Sequence, residues 1–105
     1  MQQVVVQRDR TVILPVSLGF DVSQDTITSQ IRVSQDPLSA LIATWAVSFE
    51  TDGTDGELIL TLDDSITTNI VQNVGWMDLK RVSGGQPLSV FNTPLEVSII
   101  NVITP

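Results

Sequence analysis

An all-β, antiparallel β-sandwich of about seven or eight short strands is the fold this chain predicts, and three observations carry the prediction. Apolar and polar residues alternate with a period of two in most segments. Turn-forming clusters recur between those segments, at Arg8-Asp9-Arg10, 21–25, Gln35-Asp36-Pro37, 51–56, 63–73 and 83–87. Sustained helical spacing is nearly absent.

The surest part is the hairpin centred on Thr51-Asp-Gly-Thr-Asp-Gly56. Before it, segment 43–50 places Trp45, Val47 and Phe49 on one face; after it, segment 57–62 repeats the pattern with Leu58, Leu60 and Leu62. The two Asp-Gly pairs supply the positive φ and the local hydrogen bonds that reverse an antiparallel chain. Segment 11–18 turns Val12, Leu14, Val16 and Leu18 inward, and Pro15 marks it as an edge strand or a bulge. Segment 26–33 sets Ile27, Ser29, Ile31 and Val33 against Thr26, Thr28, Gln30 and Arg32, and the polar β-formers imply solvent on that side. Leu95, Val97 and Ile99 share a face, and Ile99-Ile100 breaks the phase, so a bulge or a covered, central strand is expected there.

Two places admit helix. Asp36-Pro37, with Leu38, Leu41, Ile42 and Trp45 at helical spacing, would suit a helical turn over 37–42, although a strand from about Ile42 fits the alternation that follows. A short helical turn is expected at 64–69, capped by Asp64 or Ser65 and serving as a crossover between sheets.

The 105 residues form one domain, 1–105, without a linker, a low-complexity run or an internal repeat. That length buries enough surface to fold unaided. With no cysteine, disulfides and thiolate metal sites are ruled out. With no histidine, the commonest general base and metal ligand is missing, which argues against triad hydrolases, zinc hydrolases and haem proteins. The formal charge of −7, from 12 acidic and 5 basic residues, disfavours nucleic acid and anionic membranes as partners. The most apolar stretch, 38–49, is about half of what a transmembrane helix needs, and no signal peptide opens the chain.

Asp52-Gly53 with Asp55-Gly56, the strand Leu58-Ile-Leu-Thr-Leu62, the crossover threonines Thr67-Thr68 and the run Gly75-Trp76-Met77-Asp78-Leu79-Lys80 occur in a recognisable order. In that order the chain resembles the small N-terminal β-sandwich of tailed-phage baseplate upper proteins (BppU type) and related tail-fibre attachment domains. In that family a Gly-aromatic-x-Asp-Leu strand is followed by a hairpin, here at Gly84-Gly85, and by a closing strand, here 95–104. The resemblance implies an immunoglobulin-like sandwich and a bacteriophage virion structural protein of the tail, made in the host cytoplasm. It further implies an adaptor that forms homo-oligomers and docks on other tail, baseplate or tail-fibre proteins. Family domains usually head a longer fibre polypeptide, so a chain ending at Pro105 is expected to act as a free-standing adaptor or to receive a fibre made of other chains.

Few residues invite chemistry. Asp52, Asp55 and Glu57 offer oxygen ligands to a cation such as calcium, with Asp63 and Asp64 at the far end of the same strand; the spacing is not that of an EF-hand, and a solvated hairpin turn is the favoured reading. Asp78, among apolar strand residues, suits an ion pair with Lys80 or Arg81 or a turn cap better than catalysis. Gly84-Gly85 lacks a following Lys-Ser/Thr and reads as a hairpin turn. No catalytic residue, cofactor or small-molecule substrate is expected.

Arg8, Arg10, Lys80 and Arg81 are four of the five cations and form interface candidates, with edge-strand protection as the plainer role. Trp45 belongs with Val47 and Phe49 in the core. Trp76 points away from Met77 and Leu79, the pattern leaves open which side is inward, and Trp76 is the candidate interface anchor. The expected function is therefore non-enzymatic protein–protein interaction. The alternative is a carbohydrate-binding or host-adhesion module in which Trp76 stacks on sugar. A small enzyme or inhibitor would instead need a concave pocket holding a carboxylate of perturbed pKa.

Overall fold

Alternation settles which residues face each other. In the computed structural model, which describes residues 4–91 and 93–104, eleven strands and one short helix follow in chain order. They are β1 (Val4–Gln7), β2 (Val12–Ser17), β3 (Thr26–Thr28), β4 (Gln30–Arg32), β5 (Leu41–Thr44), β6 (Ala46–Phe49), β7 (Glu57–Leu62), α1 (Asp64–Thr67), β8 (Val74–Met77), β9 (Lys80–Ser83), β10 (Gln86–Ser89) and β11 (Leu95–Ile100).

Three sheets result, ordered β1-β11-β8-β4-β5, β10-β9-β3 and β2-β7-β6. The first two are one bent layer. Ile31 faces Met77 in one sheet and Thr28 faces Lys80 in the other, positions of a single antiparallel register that runs through the bend. The strands β2, β7 and β6 form the opposing layer of the sandwich.

Segments 26–33, 43–50 and 74–83, each continuous by alternation, break at one level of the fold. Merging the halves β3–β4, β5–β6 and β8–β9 restores eight ribbons, in line with the sequence expectation. At the break the buried hydroxyl of Ser29 donates to the Asp78 carbonyl (2.6 Å), and the Trp45 amide donates to the Ser29 carbonyl (3.0 Å). Beyond Trp45 the chain leaves β4 and joins β7 as β6, changing layers. Trp45 lies 3% exposed at that corner, in the core as expected, where a large side chain fills the gap between diverging strands.

The core joins both layers. Leu58, Leu60 and Leu62 of β7 pack with Ile31, Met77, Leu79, Val97 and Val6 of the bent layer. Val12, Leu14, Val16, Val47 and Phe49 lie partly buried against them. Pro15 sits in β2, an edge strand, as its missing N–H requires.

The strand expected from about Ile42 is present as β5, and three other expectations are corrected. Pro37 begins no helix: the Asp36 carboxylate accepts from the Leu38 amide, the Ser39 amide returns to the Asp36 carbonyl, and Leu38 is 92% exposed. A side-chain acceptor at Asp36 thus favours a turn over a helix whose apolar face would lie in water. The helix at Asp64–Thr67 is present and links the two layers, but its cap is Asp63, whose carboxylate accepts from the Ser65 amide. The phase break at Ile99-Ile100 is neither a bulge nor double burial, because Ile100 is exposed on a regular strand, while β11 is central as expected. Finally, the sandwich is not wholly antiparallel. Strand β1 pairs β11 in parallel, Val4 with Val97 to Gln7 with Ile100, because almost the entire chain serves as the long connection that a parallel pair needs.

Candidate functional site

Positive charge clusters less than the sequence suggested. Arg8 donates to the Ile70 carbonyl (2.8 Å), the Gln72 carbonyl (2.6 Å), Asn73 Oδ1 (3.0 Å) and Asn101 Oδ1 (2.9 Å), tying the end of β1 to the α1–β8 link and to the chain following β11. Arg10 donates to the carbonyls of Asp9 and Thr104. Arg81 pairs with Asp25 (3.6 Å) and lies 4.8 Å from the centroid of the Phe20 ring. That pairing takes the place of the expected Arg81–Asp78 contact, because Arg81 shares the inward parity of Leu79 and opposes Ile27.

At the hairpin end Asp52 and Asp55 are held by their own turn and Glu57 by the neighbouring strand β2. Asp52 Oδ1 accepts from the Thr54 amide (3.0 Å) and hydroxyl (2.6 Å), Asp55 Oδ1 accepts from the Glu57 amide (3.0 Å), and Glu57 Oε1 accepts from Ser17 (2.9 Å). The same Asp-x-Ser/Thr device recurs at Asp21 with Ser23 and at Asp63 with Ser65. In each of these three the hydroxyl, and then the amide, of the residue two positions on holds the Asp below the usual carboxylate range; at Asp21 the neighbouring charge of Asp52 opposes the effect. No cluster of three or more acidic residues able to hold a metal ion occurs among the described residues.

Two surfaces remain. The first is the outer face of β2-β7-β6, where Ile13, Thr61 and Ala46 form one cross-strand row and Pro15, Ile59 and Ser48 the next. Both rows are free of charge on a chain of net charge −7, and Ile13 is 63% exposed.

The second is a depression of about 400 Å3 on the outer side of the bend, at the size of a small-ligand site. Its floor includes half-buried Trp76, outward on β8 while Met77 and Leu79 fill the core. Cross-strand from Trp76 lie Arg32 on β4 and Glu96 on β11. Arg32 donates to the Ser39 carbonyl (2.7 Å) and to Gln30 Oε1 (2.8 Å), so the strap 33–40 and the floor are held together. Thr28, Asp78, Lys80 and Ser89 complete the wall.

The bend thus gathers Trp76, Lys80 and Asp78 and leaves Arg8, Arg10 and Arg81 elsewhere. Sequence reasoning did not single out Gln30, Arg32 and Thr28 as site residues. Their signal was present, since all three lie on the polar face of segment 26–33. The carboxylates with shifted pKa, Asp21, Asp52 and Asp63, are exposed turn residues outside the depression.

No family model matches the sequence, and no curated protein matches it. A solved structure from work on photo-crosslinking of "multimeric cell-adhesive interactions of VGSC beta subunits" aligns with 94% of this chain and 91% of its own, at a TM-score of 0.47 and 8% identity. A likeness of that size carries no argument about function. No helix among the described residues is long and apolar enough to cross a membrane.

Proposed function

We propose that this protein is a non-enzymatic attachment module of a tailed-phage virion, an adaptor of the tail or baseplate that works by protein docking. The observation that carries the docking part is the pair of uncharged rows on the outer face of β2-β7-β6, with Ile13 and Pro15 exposed in them. Uncharged rows desolvate at low cost, and depletion of charge marks the centre of a protein interface. Pro15 blunts the adjacent β2 edge against strand addition, which directs contact to the face. The phage assignment is supported by the order of the Asp-Gly hairpin, the threonine crossover and the run from Gly75 to Lys80. Copies arranged in a ring would combine weak contacts into avid attachment.

Light scattering of the purified protein and cryo-electron microscopy of the assembled particle test this reading. A homo-oligomer, with density for the sandwich at the tail, is the expected result, and Ile13→Lys should abolish incorporation while leaving the thermal midpoint unchanged. A monodisperse monomer fitting no density in a virion would end the proposal.

A further inference from the structure

We propose that the depression at the bend is a binding site for a neutral saccharide, with Trp76 as the platform for a sugar ring. This site is separate from the docking face of β2-β7-β6 and does not depend on the virion assignment.

Three observations support it. First, four polar side chains of the lining are free. Among the described residues, Thr28, Asp78, Lys80 and Ser89 make no side-chain hydrogen bond or ion pair. Second, Gln30 is oriented: its Oε1 accepts from Arg32, which is itself anchored on the Ser39 carbonyl, and its amide nitrogen is left as a donor. Hydroxyl donors and acceptors, an amide donor, a carboxylate and an ammonium group around one aromatic side chain match the alternating hydroxyls and apolar C–H face of a pyranose.

Third, the charges nearly balance. In the lining Arg32 and Lys80 offset Asp36 and Asp78, and Glu96 beside Trp76 adds one negative charge, on a chain of net charge −7. Neither a polyanion nor a polycation is favoured there, so an uncharged, hydroxyl-rich ligand is the chemical class that fits. An aromatic platform such as Trp76 also suits a proline-rich peptide, whose prolines pack on aromatic side chains. Such a peptide has few donors for the free carboxylate and hydroxyls, which makes sugar the better match.

The test is NMR titration of the full chain with neutral oligosaccharides of glucose, galactose, mannose and rhamnose, with a sialylated glycan and a proline-rich peptide as separate arms. The two tryptophans give two indole N–H signals, and buried Trp45 serves as the internal control of folding. The expected result is a shift of the Trp76 signal with a neutral sugar. Followed through the backbone amide signals of Thr28, Gln30 and Lys80, Trp76→Ala should weaken binding about tenfold or more, and Asp78→Asn several-fold, with the Trp45 signal unmoved. Asp52→Asn should bind like the parent. No response to any neutral sugar at about 10 mM, binding that persists in Trp76→Ala, or a response to the peptide or the sialylated glycan alone would each overturn the proposal. Particle incorporation of Trp76→Ala should be normal, so failure here and failure of the docking proposal are separately visible.

Discussion

The Ser29 hydroxyl donates to the carbonyl of Asp78 at the level where both of their strands break, and it does so from a side chain only 2% exposed. A bend opens the backbone ladder, and a buried side-chain donor supplies the bond that the ladder loses there. This bond holds β3–β4 and β8–β9 in one register across the bend and so shapes the depression on its outer side.

Ser29→Ala is therefore expected to lower stability by about 1–2 kcal/mol in urea denaturation, with the slope unchanged. Loss of the saccharide response at Trp76 should accompany it only if the bend relaxes. A stability equal to the parent would mean that the bend is held by packing alone.

Glycine is required at position 56. Its φ is +75°, and an added Cβ would stand 2.4 Å from the backbone oxygen of Phe20, an atom that cannot swing aside. Gly56→Ala should cost about 2–4 kcal/mol, from steric conflict added to left-handed strain. Gly84, at φ +59° with no atom within 4 Å of the added carbon, should cost only about 1 kcal/mol on the same change. Equal thermal shifts for the two variants would contradict this ranking.

Arg8 bonds to four acceptors in two other chain segments, a fork geometry that an ammonium group cannot copy. We expect Arg8→Ala to destabilise by about 2 kcal/mol and Arg8→Lys to recover less than half of the loss, as measured by calorimetry. Lys80→Ala, at an exposed position, should stay within about 0.5 kcal/mol of the parent.

Acid should weaken the fold through the Asp-x-Ser/Thr turns. Asp21, Asp52 and Asp63 have folded pKa values below the ordinary carboxylate value, so their contribution is present above the unfolded pKa and is lost as pH falls through the folded one. Thermal midpoints should thus decline as the pH falls below the ordinary carboxylate value of about 4. Replacing all three by Asn, which keeps an acceptor but does not titrate, should flatten that decline. An unchanged acid limb in the triple variant would show that other groups govern it.

Much of this was legible in local pattern. Alternation identified Val12, Leu14 and Val16, the β7 leucines and Ile27, Ser29 and Ile31 as inward, because a pleated strand sends successive side chains to opposite faces whatever its neighbours are. Asp-Gly pairs located the β6–β7 turn for an equally local reason. The breaks at Ser29 and Trp45 were not legible, because alternation continues unbroken through a bend.

The amino-acid order by itself determined the class of the fold, the inward set of most ribbons, the absence of histidine and cysteine chemistry, and the sites of reversal. These follow from forces acting within a few residues. Val33, expected inward, is exposed, and the inward side of 75–80 was settled only by the fold. Tertiary structure alone decided that β1 joins β11 in parallel, that Arg8 clamps three segments, and that Trp76, Gln30, Asp78 and Lys80 meet around one depression. Those outcomes depend on contacts between residues distant in sequence, whose partners are chosen only when the two layers close on a shared core.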